Sequence, residues 1–62
     1  MEKIGVIGFG VMGKAIANSL ERSGYEVLVY DKSNSEASNA QIMGYIPCMS
    51  PGEIALKSKI II

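Results

Sequence analysis

An α/β fold built on a parallel sheet is what this sequence predicts, and three observations predict it. Two apolar runs of strand length, Ile4-Gly5-Val6-Ile7 and Tyr25 to Tyr30, flank a stretch whose apolar residues recur at helical spacing. A glycine-rich turn, Gly8-Phe9-Gly10-Val11-Met12-Gly13, joins the first run to that stretch. Strand-like and helix-like segments then keep alternating to the last residue. Such alternation lays consecutive strands side by side through right-handed crossovers, with the helices on the sheet faces.

Each element has its own signal. Residues 3 to 8 form a near-continuous apolar strand, the kind buried on both faces of a parallel sheet. The first helix is expected over about Val11 to Ser23. Its inward positions are Gly13, Ile16, Ala17 and Leu20, with Lys14, Asn18, Glu21 and Arg22 on the other side. Gly24 is suited to cap it. Tyr25 to Tyr30 is the second strand, followed by the polar turn Asp31-Lys32-Ser33-Asn34-Ser35. Ser33 and Glu36 have capping-box spacing for a second helix of about Asn34 to Met43, with Ala37, Ala40 and Met43 inward and Gly44 ending it.

Tyr45 to Cys48 reads as a short third strand that Pro47 confines to a sheet edge. Ser50, Pro51 and Glu53 mark the start of a third helix ending near Lys57, and Lys59 to Ile62 reads as a fourth strand. The result is βαβαβαβ without repeats or linkers. Right-handed connections predict the sheet order 3-2-1-4, with a crevice above the carboxyl ends of the first and fourth strands.

The glycine turn carries the chemistry. Gly8 stands where the chain must turn sharply out of a strand, and Gly10 lets a ligand approach the backbone closely. Gly13 lies one turn into the helix, where a side chain would hold helix and strand apart. The amides of Val11, Met12 and Gly13 are unpaired donors of the first helical turn, so with the helix dipole they form an anion site. Asp31 follows Gly13 by eighteen residues at the end of the second strand. Strand, glycine turn, helix, strand and acid in that order are the fingerprint of a Rossmann-type dinucleotide-binding unit, with the acid spaced to accept the ribose hydroxyls.

The expected cofactor-binding residues are therefore Gly8, Phe9, Gly10, Val11, Met12, Gly13, Asp31 and Lys32. A carboxylate at Asp31 repels a 2′-phosphate, which favours NAD. Lys32 leaves NADP as the alternative, although its ammonium lacks the fork of an arginine. A nucleoside-triphosphate loop is rejected: Gly8, Gly13 and Lys14 match its pattern, but Ala15 stands where a magnesium-binding hydroxyl is required.

The totals narrow the remaining classes. Six basic and six acidic residues balance, with no basic patch for nucleic acid and no apolar run long enough to span a membrane. With no histidine and one cysteine there is no zinc-ligand set, no disulfide framework and no evident nucleophile-base pair. Cys48 reads as a packing thiol and Lys14 as a solvated surface lysine. The aromatic and methionine residues read as core or rim. A cytoplasmic setting follows, and no catalytic residue is assigned.

A hydrophobic content of 48 % in 62 residues is more apolar sequence than so small a volume buries. The expectation is an amino-terminal fragment, residues 1–62, of one NAD(P)-binding domain. Homo-oligomers or association through the apolar Ile60-Ile61-Ile62 edge are expected with it.

Val6-Ile7-Gly8-Phe9-Gly10-Val11-Met12-Gly13, then Ala17-Asn18-Ser19-Leu20, Val29-Tyr30-Asp31 and Met49-Ser50-Pro51-Gly52-Glu53, resemble the start of the β-hydroxyacid dehydrogenases. These are the 3-hydroxyisobutyrate and tartronate-semialdehyde type enzymes, related to 6-phosphogluconate dehydrogenase. The resemblance implies an oxidoreductase that moves hydride between NAD(P) and a small β-hydroxyacid-type substrate. It also implies that the serine-glycine-glycine substrate segment and the catalytic lysine of that family lie beyond Ile62. NADP-using members tend to carry Asn, Arg, then Ser or Thr where this chain has Asp31-Lys32-Ser33. Pyrroline-5-carboxylate reductase, an imine reductase, and prephenate dehydrogenase begin similarly. A non-catalytic nucleotide-binding regulatory module is the alternative of another class.

Overall fold

The computed structural model describes the backbone of residues 2–61 and the side chains of residues 2–59. Strand β1 (Lys3–Ile7) leads through the glycine turn into α1 (Val11–Arg22), and β2 (Glu26–Tyr30) returns beside β1. Then come α2 (Asn34–Ile42), the two-residue edge strand β3 (Ile46–Pro47), α3 (Pro51–Lys57) and β4 (Ile60–Ile61). All pairings are parallel and the order is β3-β2-β1-β4, as right-handed crossovers require. The expected fourth strand reached Ile62, which lies outside the described residues. So do the side chains of the expected Ile60-Ile61-Ile62 edge.

The pleat divides the core in two. Val6, Val27 and Val29 face α1 and α2 and pack with Phe9, Ala17, Ala40 and Tyr45, with Ile16 and Leu20 at the margin. On the opposite face Leu28 packs with Cys48 and Ile54 of the α3 side, and Tyr30 leans on them. Alternate strand residues therefore serve both faces, which is why β1 and β2 read as unbroken apolar runs. Gly5 belongs to the second face, where a Cβ would overlap Ile54 Cγ2 and crowd Ser58 Oγ. This mid-strand glycine is what lets α3 lie against β1.

The helix ends follow local rules. Helices α1 and α2 both finish in a Schellman arrangement. Gly24 N–H donates to Glu21 O and Tyr25 N–H to Leu20 O, matched by Gly44 to Gln41 and Tyr45 to Ala40. Helix α3 is capped by Ser50, whose Oγ accepts the Glu53 amide at 3.1 Å. The Glu53 carboxylate reaches back one residue further than an ordinary capping box and takes the Met49 amide at 2.6 Å.

Three local expectations need correction. The Ser33–Glu36 box does not form: Ser33 Oγ meets Ser35 Oγ, and Glu36 turns instead to Asn39 and Lys14. A longer-range cation has outcompeted a local backbone donor. Met43 is 48 % exposed, because α2 ends at Ile42 before another turn brings it inward. The third strand keeps only Ile46–Pro47 of the expected four residues, and just past it the Cys48 N–H still donates to Val29 O at 2.7 Å. Met12, Met43 and Met49 are exposed, which is the rim side of the core-or-rim reading.

Candidate cofactor site

The turn between β1 and α1 is held at three points. Gly8 takes φ +96°, a conformation open to glycine and strained for any side chain, and its N–H donates to Tyr30 O at 2.8 Å. Phe9 drops its ring into the core, fully buried and edge-on to Tyr45 at 5.7 Å between centroids. The Phe9 amide donates to Asp31 Oδ2 at 2.6 Å. Beyond that, the chain enters α1 with Gly10 as N-cap, and Lys14 N–H closing on Gly10 O at 2.9 Å is the first helical bond.

Two of the six turn residues therefore use their amides inside the protein. Among the described residues, the amides of Gly10, Val11, Met12 and Gly13 find no acceptor. These are the orphan donors of a helix N-terminus, with the positive end of the helix dipole behind them. The glycines play separate roles here. A Cβ on Gly10 would meet nothing within 4 Å, so open space lies in front of it. A Cβ on Gly13 would overlap the Gly8 carbonyl, so Gly13 is what lets α1 start against the end of β1.

Asp31 closes the opposite wall. Its Oδ1 accepts the Ser33 amide at 2.8 Å in an Asx turn, while Oδ2 holds Phe9. These amide bonds, Phe9 foremost, keep the carboxyl below its ordinary value, with Lys32 and Lys14 adding to the effect. Each oxygen keeps a second lone pair for a hydroxyl donor. Asp31 and Lys32 line a hollow of about 280 Å³ together with Ile7, Gly8 and Tyr30. A second hollow of about 480 Å³ runs along the first turn of α1 from Val6 and Ile7 to Met12 and Ile16. The two share Ile7 and Gly8, forming a crevice over the carboxyl ends of the strands, where open α/β sheets bind ligands.

Lys14 departs from the solvated lysine expected of it. Its Nζ lies 3.1 Å from Glu36 Oε1 and 5.6 Å from the centre of the Phe9 ring. It thereby ties α1 to α2 across the buried aromatic. Cys48 is buried and its thiol is pushed up by that burial, the state of a packing residue. Ile7 and Tyr30 were missed as lining residues, although each ends a strand whose carboxyl end was expected to face the crevice.

A sequence profile of the NAD binding domain of 6-phosphogluconate dehydrogenase matches residues 3–62. The chain belongs to this NAD-binding family. Among its relatives, glyoxylate/succinic semialdehyde reductase 1 of Arabidopsis thaliana is 33 % identical over 57 residues, covering 92 % of this chain and 20 % of that protein. A probable 3-hydroxyisobutyrate dehydrogenase-like mitochondrial protein of Arabidopsis thaliana is 37 % identical over 59 residues, covering 95 % and 18 %. An imine reductase from Bacillus cereus superimposes with a TM-score of 0.84 at 28 % identity, covering 98 % of this chain and 21 % of that one. The chain thus spans about a fifth of the length of the relatives it matches. As a family member it is an NAD-binding segment with a Rossmann fold, and its cofactor is a nicotinamide dinucleotide. Among the described residues, no helix is long and apolar enough to cross a membrane.

Proposed function

We propose that this segment is the amino-terminal part of one dinucleotide-binding domain in an enzyme that passes hydride between NAD and a small β-hydroxyacid-type substrate. The observation that carries the reading is the row of unpartnered amides from Gly10 to Gly13, set at a helix N-terminus opposite the Asp31 carboxylate. The amides suit a pyrophosphate, and the carboxylate suits the two hydroxyls of an adenosine ribose. Gly8, Phe9, Gly10, Val11, Met12 and Gly13 form the turn, with Asp31 and Lys32 on the adenosine side. The relatives named as hydroxyacid dehydrogenases and aldehyde reductases support the substrate class. The hydride chemistry is the cofactor's, and this segment binds and orients it.

NAD is preferred over NADP, because a 2′-phosphate beside Asp31 meets like charge before it meets Lys32. A second reading, an imine reductase, is favoured by the structural match to one. One set of measurements separates these. The full-length protein is titrated with NADH and NADPH, then assayed on β-hydroxyacids and on cyclic imines. Tighter NADH binding with hydroxyacid turnover is expected. Turnover of imines alone selects the second reading, and failure to bind either cofactor sinks both.

The protein also works as a homo-oligomer in this reading, with copies covering apolar side chains such as Ile42, Met49 and Leu56, which are 81–89 % exposed. A stable monomer in sedimentation at high concentration contradicts that. A reducing compartment such as the cytoplasm suits the single unpaired thiol of Cys48.

A further inference from the structure

Among the described residues, Asp31 supplies the one side-chain hydrogen bond to the backbone of residues 8–13, and it does so across 22 positions of sequence. The turn needs such a tie. Gly8 and Gly10 give it backbone freedom, and beyond its chain neighbours Gly10 has no protein atom within 4 Å of where its Cβ would stand. The Ser33 amide at 2.8 Å orients the carboxylate, and the Gly8-to-Tyr30 bond at 2.8 Å adds a parallel tie from the same strand end. The free amides of Gly10 to Gly13 follow directly on Phe9, the residue that Asp31 ties down.

We infer that Asp31 is a positioning residue for the pyrophosphate-binding amides, in addition to being an acceptor for the ribose. Its carboxylate fixes the turn in the shape that aims those amides at one place. A ligand that meets a preformed turn does not have to order it, so the carboxylate raises affinity for any ligand carrying the pyrophosphate, with or without adenosine. This inference rests on the reading of the turn as a dinucleotide site and adds a role within it. The two roles coexist because each oxygen has a lone pair beyond the one its amide uses.

The two roles also separate in experiment. If Asp31 serves only as a ribose acceptor, its loss weakens NADH and leaves inorganic pyrophosphate untouched. If it acts only by charge, its removal strengthens pyrophosphate binding. As a brace, its loss weakens both.

The test measures NADH and inorganic pyrophosphate binding to the full-length protein and to Asp31→Asn, whose amide cannot accept from both Phe9 and Ser33 through two oxygens. Charge-assisted bonds of this kind lead us to expect roughly tenfold weaker binding of each ligand. The charge-conserving Asp31→Glu is expected to show the same direction for pyrophosphate. An unchanged or higher pyrophosphate affinity in a folded variant overturns the inference. If the unmodified protein binds neither ligand, the dinucleotide reading itself falls, and this inference with it.

A measurement without substitution guards against a variant that does not fold. In the unmodified protein the Phe9 and Ser33 amide proton shifts should move together as Asp31 titrates, while the Val27 amide stays still. A Phe9 amide that ignores that titration overturns the brace as well.

Discussion

Gly10 takes φ −76° and ψ −158°, an extended conformation that any residue adopts, and open space surrounds its absent Cβ. Its two demands are therefore separable, because nothing in the protein requires a glycine there, whereas a pyrophosphate seated on the turn as proposed would. Gly10→Val should leave the melting temperature nearly unchanged while blocking the close approach of a pyrophosphate. NADH affinity is expected to fall by more than about tenfold, or ~1.4 kcal/mol. Paired calorimetric melts and cofactor titrations check it, and a large loss of stability with affinity retained would contradict it. Gly8 behaves in the opposite way, since its φ of +96° strains any side chain whatever the ligand.

At the scale of elements, two glycines act by letting neighbours touch. A Cβ at Gly13 overlaps the Gly8 carbonyl and separates α1 from β1, and one at Gly5 overlaps Ile54 and separates α3 from β1. Forcing an extra methyl into packed contacts of this kind costs about 1–3 kcal/mol, so Gly5→Ala and Gly13→Ala should both lower stability. They should differ in rescue. Gly5 meets a side chain, so trimming Ile54 to Ala in the same protein should cost less than the two single changes summed. Gly13 meets backbone, and no side-chain change relieves it. Denaturant unfolding of the single and double variants measures this coupling, and strict additivity at Gly5 and Ile54 would argue against the contact.

Over the whole molecule, charge is handled by pairing rather than burial, and no buried polar or charged side chain appears among the described residues. Asp31, Glu36 and Glu53 are held below their ordinary values of 3.8, 4.5 and 4.5 by, first in each case, the Phe9 amide, the Asn39 side chain and the Lys57 ammonium. A carboxyl with a depressed folded value stabilises the fold at pH above its unfolded value and loses that contribution as pH falls through the folded one. Stability should thus hold down to about pH 5 and decline below about 4.5, the upper of these ordinary values. Asp31→Asn should converge with the unmodified protein at the acid end, where Asp31 is protonated in both folded and unfolded forms. Urea midpoints from pH 7 to pH 3 test this, and a gap that widens toward low pH would be the wrong sign.

The sequence alone determined the order and kind of the seven elements, the sheet order β3-β2-β1-β4 and the position of the glycine turn. Those follow from short-range rules: apolar period, cap residues, the φ a turn needs and the hand of a crossover. The Pro51–Lys57 helix emerged with its expected bounds because Ser50, Pro51 and Glu53 act within one turn of one another. Tertiary structure decided what depends on partners far along the chain. Glu36 left its own helix cap for Lys14, Gly5 became the seat of Ile54, and the Asp31 carboxylate settled on the amide of Phe9. A charged side chain or a missing Cβ finds its partner only when folding brings two segments together, and no local pattern records which partner that is.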